Sequence, residues 1–197
     1  MPARPLQNHA KIMICPSKNR LTFFNRPGNV EPIRILLYKA GINFYDNRFR
    51  NNHDSNIRNR GNDDIYNFQL TNELPFGYIP LYEEDDLKIS NTGPILRYIS
   101  EKYNFDGINT YEKTKIDTLV TLTDNSLSKF FKLLSSTNDN DRYNFRNNEL
   151  SMLLGTYDKI LSDNAMSYNL DLPIYFSGKK ITYADPVVYN FIKTLIS

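Results

Sequence analysis

The segment that most constrains the fold is a strand, a helix and a second strand within about 30 residues. Residues 21–24 read Leu-Thr-Phe-Phe, a short strand, and residues 25–29 are dense in turn formers. Apolar residues then recur at helical spacing from Val30 to Ala40, with Pro32 in the first turn and Gly41 as the stop. Because Ile42, Phe44 and Phe49 suggest another strand, the pattern predicts a βαβ unit.

The next segments extend this unit into an α/β domain over residues 21–103. Residues 50–73 are polar and predict a long loop. Residues 79–82 and 87–90 alternate as a hairpin does, with its turn at 83–86. A helix follows, for which we expect Thr92 as the N-cap and Pro94 just inside.

After a turn-rich linker at 104–109, residues 110–197 predict an all-helical domain. Apolar residues follow a 3.6 period from Ile116 to Leu134, including Phe131, and again from Leu150 to Leu161. The sequence Thr-Tyr-Ala-Asp at 182–185 fits a capping box. It opens a helix whose buried face we expect to hold five apolar residues: Val187, Val188, Phe191, Ile192 and Leu195.

Composition excludes several classes of function. The formal net charge is only +2, so nothing favours nucleic acid as a partner. The longest apolar runs are too short to cross a membrane. The sequence has one cysteine, Cys15, and two histidines, His9 and His53, so we expect neither a disulfide framework nor a metal site. We expect the protein in a reduced, cytoplasmic compartment.

Residues 1–20 predict an added N-terminal arm. The arm is basic and has no acidic residue. We expect a disordered tail, and an organelle transit peptide is the alternative.

Five segments in order resemble the cytosolic glutathione transferases, most closely the sigma-like class. They are Leu-Thr-Phe-Phe-Asn at 21–25, Glu-Pro-Ile-Arg-Ile-Leu-Leu at 31–37, Leu-Pro-Phe-Gly-Tyr-Ile-Pro at 74–80, Ile-Leu-Arg-Tyr-Ile at 95–99 and the capping box. The resemblance implies a thioredoxin-like domain followed by a helical bundle, usually dimeric. It also implies that glutathione is the co-substrate and that no other cofactor is needed.

The resemblance also implies where glutathione would bind. Asn91 and Thr92 stand where the family usually has Gln-Ser, which holds the γ-glutamyl end at a helix N-terminus; the alternative is that Thr92 only caps the helix. Ile79 precedes Pro80, which is cis in the family and leaves the backbone of Ile79 to pair with the ligand's cysteinyl peptide. Phe23 stands where the family carries the tyrosine that donates a hydrogen bond to the thiolate.

Phe23 is the most consequential of several departures from the family pattern. Phenylalanine has no donor, and a hydrogen bond to a charged group is worth about one to two pKa units, so we expect thiolate attack to be about 10- to 100-fold slower. Other departures replace the usual polar or basic contacts: Asn29, Asn67, Thr71 and Tyr78. Arg58 or Arg60 could replace the lost cation, although solvated loop residues are the simpler interpretation.

The helical half contributes two further expectations. Asp124 aligns with an acidic position that reaches the γ-glutamyl ammonium of the other subunit, and a solvated helix face is the alternative. The chain ends before the family's last helices, so we expect the fold to be truncated after the capping-box helix. Val188, Phe191 and Leu195 would then be partly exposed, and the pocket for hydrophobic electrophiles would be open.

These observations leave three hypotheses about function. In the first, the protein binds glutathione and conjugates it to small electrophiles, or isomerises them, at a reduced rate. In the second, the fold persists as a non-catalytic binding or structural protein. In the third, the chain is a marginally stable remnant without a present role.

Overall fold

A computed structural model describes residues 18–26, 28–49, 74–168 and 174–196. The N-terminal arm up to residue 17 and the predicted loop at 50–73 lie outside these ranges. The structure confirms the predicted order of an α/β half followed by a helical half. None of the helices in the described ranges has an apolar stretch of the length that a membrane span requires.

The N-terminal half is built on a four-stranded mixed sheet. The strands are β1 (Asn19–Phe24), β2 (Tyr45–Phe49), β3 (Leu81–Glu84) and β4 (Leu87–Ser90), in the spatial order β2-β1-β3-β4. β1 and β2 are parallel and are joined by α1 (Glu31–Lys39), which confirms the βαβ unit. β3 and β4 are antiparallel, which confirms the hairpin, but its turn is at 85–86 and not at 83–86, because Glu83 and Glu84 continue the pairing. β1 and β3 are also antiparallel.

Two helices of this half pack against each other. α1 and α2 (Thr92–Lys102) are in contact, and each buries one apolar stripe. The fully buried side chains are Val30, Ile33, Leu36, Leu37, Ile95, Leu96 and Ile99. Each large aliphatic side chain of this kind contributes about 1.5–3 kcal/mol when it leaves water.

The helical half contains one segment that the sequence pattern did not reveal. Its helices are α3 (Thr110–Leu134), α4 (Asp139–Asn144), α5 (Ser151–Tyr168) and α6 (Ala184–Ile196), and a π-helical turn at Phe145–Leu150 joins α4 to α5. The sequence of α4 is polar throughout, so no apolar period marks it. α6 packs against both α3 and α1 and thereby joins the two halves.

Several expectations about burial were wrong. Val188 and Phe191 are 2% and 0% exposed, because α6 is covered by α1 and α3. They confirm the predicted buried face of this helix and contradict the expectation of partial exposure, which holds only for the half-buried Leu195. In contrast, Ile192 is 39% exposed because it lies off the stripe that these helices cover. Phe131 and Leu134 are 44% and 61% exposed, so the buried face of α3 ends before its last turn.

The capping box ahead of α6 is confirmed. The Asp185 carboxylate accepts hydrogen bonds from the Thr182 backbone N–H at 2.7 Å and from the Thr182 hydroxyl at 3.0 Å. Its second oxygen accepts from the Phe176 backbone N–H at 3.0 Å. One carboxylate therefore fixes both the start of α6 and the chain segment before it.

Candidate functional site

The ends of three strands and one helix meet at a single edge of the sheet. Thr22 pairs with Leu81, and Leu81 pairs with Ser90. The residues that follow in the same register are therefore neighbours: Phe23 at the end of β1, Pro80 before β3, and Asn91 after β4. A 2.9 Å hydrogen bond from the Asn91 backbone N–H to the Pro80 carbonyl joins two of them directly. The edge thus brings together Phe23, Ile79, Pro80, Asn91 and Thr92.

Phe23 places a buried aromatic ring at this edge. The ring is 7% exposed and meets the Phe24 ring edge to face, with 5.3 Å between centroids. A methyl group on Gly28 would lie 3.4 Å from Cε1 and 3.8 Å from Cζ of Phe23, so the turn after β1 passes close beside the ring. The position offers contact area and no hydrogen-bond donor.

Ile79 and Pro80 are joined by a cis peptide bond, as the resemblance implied. Pro80 is buried and Ile79 is half-buried. The backbone N–H and C=O of Ile79 form no hydrogen bond within the described part of the chain. Because backbone polar groups are rarely left without a partner, this pair is available to an extended peptide lying along the edge.

The start of α2 leaves backbone donors free. Asn91, not Thr92, is the N-cap residue, with φ at 77°, and its side chain makes no capping hydrogen bond. The expectation that Thr92 is the N-cap was therefore wrong, because the chain already turns into the helix at Asn91. The first bond across this end runs from the Ile95 N–H to the Asn91 carbonyl, which leaves the N–H groups of Thr92 and Gly93 unused among the described residues. Such an end attracts an anion.

The turn after β1 is held from two sides by residues that the sequence analysis missed. Arg34, 2% exposed, donates to both carboxylate oxygens of Asp46 at 3.0 and 3.2 Å and to the Arg26 carbonyl at 3.2 Å. From α6, the Asn190 side chain donates to the Gly28 carbonyl at 3.2 Å. Both residues lie on apolar helix faces, and a polar residue on such a face is a signal that it has a buried partner.

Asp124 stands apart from the edge, on the half of α3 that follows Val120. Burial raises the pKa of its carboxyl to about 6, and the nearby Arg97 guanidinium opposes that rise. Its neighbour Thr123 shares a 2.6 Å hydrogen bond with the Tyr157 hydroxyl, and burial raises the pKa of Tyr157 to about 12. The described contacts do not bring Asp124 to Phe23 or Asn91 within one chain.

The remaining departures are at the surface or outside the described residues. Asn29 is exposed in the turn before α1, and Tyr78 is 68% exposed. Asn67, Thr71, Arg58 and Arg60 all fall outside the described ranges.

A separate groove of about 530 Å³ lies between α2 and α3. Arg97 crosses it to Asp117 at 2.8 Å, and the Tyr183 hydroxyl donates to the same carboxylate at 3.0 Å. Its lining charges are largely paired with one another, and it contains none of the predicted site residues.

Comparison with known proteins gives consistent matches. The family described as glutathione S-transferase, C-terminal domain, matches residues 121–197. A glutathione S-transferase of Plasmodium falciparum is 30% identical over 172 residues, which cover 86% of this chain and 76% of that protein.

Solved structures extend the match to the whole architecture. A Pi-class glutathione S-transferase of Onchocerca volvulus superposes with a TM-score of 0.72 at 25% identity, covering 90% of this chain and 77% of the other. Monomeric Na-GST-3, a glutathione S-transferase of Necator americanus, superposes with a TM-score of 0.68 at 21% identity, covering 90% and 80%. The predicted thioredoxin-like domain followed by a helical domain is thereby confirmed.

Proposed function

Because this chain belongs to the glutathione S-transferase family, we propose that it binds glutathione along the edge formed by Phe23, Ile79, Pro80, Asn91 and Thr92. The chain is a glutathione transferase with glutathione as its co-substrate. We also propose which atoms hold the tripeptide, how fast the sulfur reacts, which electrophiles it meets and how many chains form the site. The sigma-like class and a cytoplasmic location stay predictions.

The observation that carries the proposal is a row of unused backbone groups. The N–H groups of Thr92 and Gly93 suit the γ-glutamyl carboxylate, and the Thr92 hydroxyl can add a donor. Next along the edge, the N–H and C=O of Ile79 suit the cysteinyl peptide group. The ligand's sulfur then falls beside the Phe23 ring. This order of backbone groups along the edge, an anion site followed by a peptide-pairing site, matches a zwitterionic tripeptide.

The activity we propose is slow because Phe23 cannot donate to the thiolate. A free thiol has a pKa of about 8.5, and only the thiolate attacks. Without the donor, the bound thiol keeps a smaller anionic fraction at neutral pH, while the geometry that orients it survives. We therefore expect conjugation or isomerisation of small electrophiles at about one tenth to one hundredth of the rate that a donor would give.

We also propose that the active form is a homodimer. None of the described contacts joins Asp124 to the edge within one chain, and a partner's Asp124 is the candidate for the ligand's ammonium. Phe76 is 91% exposed at a positive φ of 60°, an apolar side chain that a second copy would cover. One structural neighbour is monomeric, so sedimentation of the purified protein is the measurement that decides this part.

The second candidate is a protein that binds glutathione without turnover. Phe23 and the neutral Asn29 favour it, because both remove groups that would stabilise a thiolate. This candidate shares the binding site with the first and differs only in the rate of reaction.

Calorimetric titration of glutathione, followed by Phe23→Tyr, tests the proposal. We expect one site per chain, an unchanged affinity in the variant and a rate increase of about 10- to 100-fold. Phe131→Tyr adds the same hydroxyl at an exposed position on α3, away from the proposed site residues, and is the matched control, expected to give no such gain. Binding without turnover in both variants would select the second candidate. A folded protein that releases no heat would contradict the binding site itself.

A further inference from the structure

Arg26 places a cation beside the position proposed for the sulfur. Its guanidinium carbon lies 5.1 Å from the centroid of the Phe24 ring, in a cation–π contact. A Cβ atom placed on Gly28 would lie 3.4 Å from Phe23 Cε1 and 3.9 Å from Arg26 Nε, so both side chains border the same point of the turn. The guanidinium, the Phe24 ring and the edge of Phe23 therefore surround the same small space.

No carboxylate of the described residues neutralises the Arg26 charge. Within the described part of the chain, carboxylates pair with five other arginines: Arg20, Arg34, Arg48, Arg97 and Arg142. The side chain of Arg26 makes no ion pair there and is exposed to solvent. Its backbone, by contrast, is fixed, since its N–H donates to the Phe24 carbonyl at 2.8 Å and its carbonyl accepts from Arg34. An exposed cation on a fixed turn is available to a ligand.

The order of the strands indicates from which side the second substrate would reach the sulfur of bound glutathione. Glutathione would run from Asn91 past Ile79 to Phe23, so the edge on the β4 side is filled by the ligand. On the other side of the sulfur, the turn after β1 presents the Phe24 ring and the Arg26 guanidinium. Asn190 of α6 borders the same turn through Gly28.

We propose that the electrophile of this enzyme is an aromatic compound that carries a carboxylate, with the aromatic part against Phe24 and the carboxylate on Arg26. The proposal rests on the proposed function, because it takes the sulfur to lie beside Phe23. Guanidinium binds carboxylate with two parallel hydrogen bonds, so it fixes orientation as well as charge.

The reaction itself needs no group from Arg26. For an aryl enone, glutathione first loses its thiol proton to solvent. The thiolate then forms the carbon–sulfur bond at the β-carbon. The π electrons of the carbon–carbon double bond move to the enolate, which takes a proton from water. Atoms and charge balance without an oxidant, and Arg26 acts as a specificity residue that holds the substrate.

Binding of two matched product analogues tests the proposal independently of rate. The probes are S-benzylglutathione and its para-carboxylate, titrated calorimetrically into the wild type, Arg26→Gln and Arg26→Lys. We expect the carboxylate to bind about tenfold more tightly than the neutral analogue in the wild type. Arg26→Gln should remove this preference, and Arg26→Lys should keep part of it. Arg146→Gln is the matched control, since Arg146 is exposed and also lacks an ion pair within the described residues.

Turnover provides a second readout with benzalacetone, a neutral aryl enone, and its para-carboxylate. The ratio of the two kcat/KM values should fall about tenfold in Arg26→Gln. Any effect of the cation on the sulfur is common to both enones and cancels in this ratio. Equal affinities of the two analogues in the wild type, or a preference that survives Arg26→Gln, would overturn the proposal. If neither analogue nor glutathione binds, the proposed function fails and this inference falls with it.

Discussion

Replacing Asp124 by asparagine should make the protein more stable and less able to bind glutathione. The two effects have opposite sign because the carboxylate is unfavourable for folding and, under the proposed function, favourable for the ligand. Its pKa rises from 3.8 to about 6 on folding, mainly through burial. A difference of one in pKa between the folded and unfolded chain corresponds to about 1.4 kcal/mol. Allowing for the part of the carboxyl that water still reaches, the ionised form costs about 1–2 kcal/mol above pH 6.

The pH dependence follows from the raised pKa. Between about pH 4 and pH 6 the folded chain keeps a proton on Asp124 that the unfolded chain has lost. The wild type therefore gains stability from this group as the pH falls through that window, and asparagine does not titrate. The advantage of Asp124→Asn should be largest above about pH 6.5 and vanish near pH 4.

Thermal melts from about pH 4 to pH 8 measure the difference. We expect the variant to melt about 2–6 °C higher at neutral pH, and its affinity for glutathione to fall about tenfold. Asp158→Asn, which changes an exposed carboxyl on α5, is the control and should shift neither quantity appreciably. A stability gain that is absent, or that stays constant down to pH 4, would refute the reasoning from burial. An unchanged affinity would remove Asp124 from the site.

One local contact and one long-range contact can be tested in the same way. Asp185→Ala removes the acceptor for Thr182 and should lower the free energy of unfolding by about 2–3 kcal/mol in denaturant melts; Asp163→Ala, at an exposed position on α5, should not. Asn190→Ala should cost about 1–2 kcal/mol and also reduce turnover at temperatures where the variant is fully folded, because Gly28 loses its donor beside the site. A variant as active as the wild type would show that this hydrogen bond does not position the turn.

Local signals in the sequence were sufficient for most of the N-terminal half. Pro32 and Gly41 delimit α1 because one fits only a first turn and the other a helix end. The capping box was readable for the same reason, since both partners lie within four residues. The five predicted residues at the sheet edge came together because strand register, once the hairpin is recognised, leaves few arrangements.

What the sequence did not reveal depends on contacts between distant elements. Phe131 and Leu134 continue the apolar period of α3, yet exposure is decided by where the neighbouring helices end. Arg34 and Asn190 are polar residues on apolar faces, and their partners are a strand residue and a turn carbonyl that no spacing rule connects. Asn91 is the N-cap with a φ of 77°, and its backbone N–H donates to Pro80, a partner that the helix pattern does not indicate.

The hydrogen bond between Asn190 and Gly28 also bears on when the site can form during synthesis. The turn that borders the sulfur position is encoded near the start of the chain, whereas its donor is on the last described helix. Contacts of such long sequence separation close late in folding. A nascent chain would therefore carry the sheet edge, with its backbone groups for the tripeptide, before the turn is held in place. The protein should acquire part of its affinity for glutathione earlier than its full reactivity, with the second step waiting for α6 to leave the ribosome.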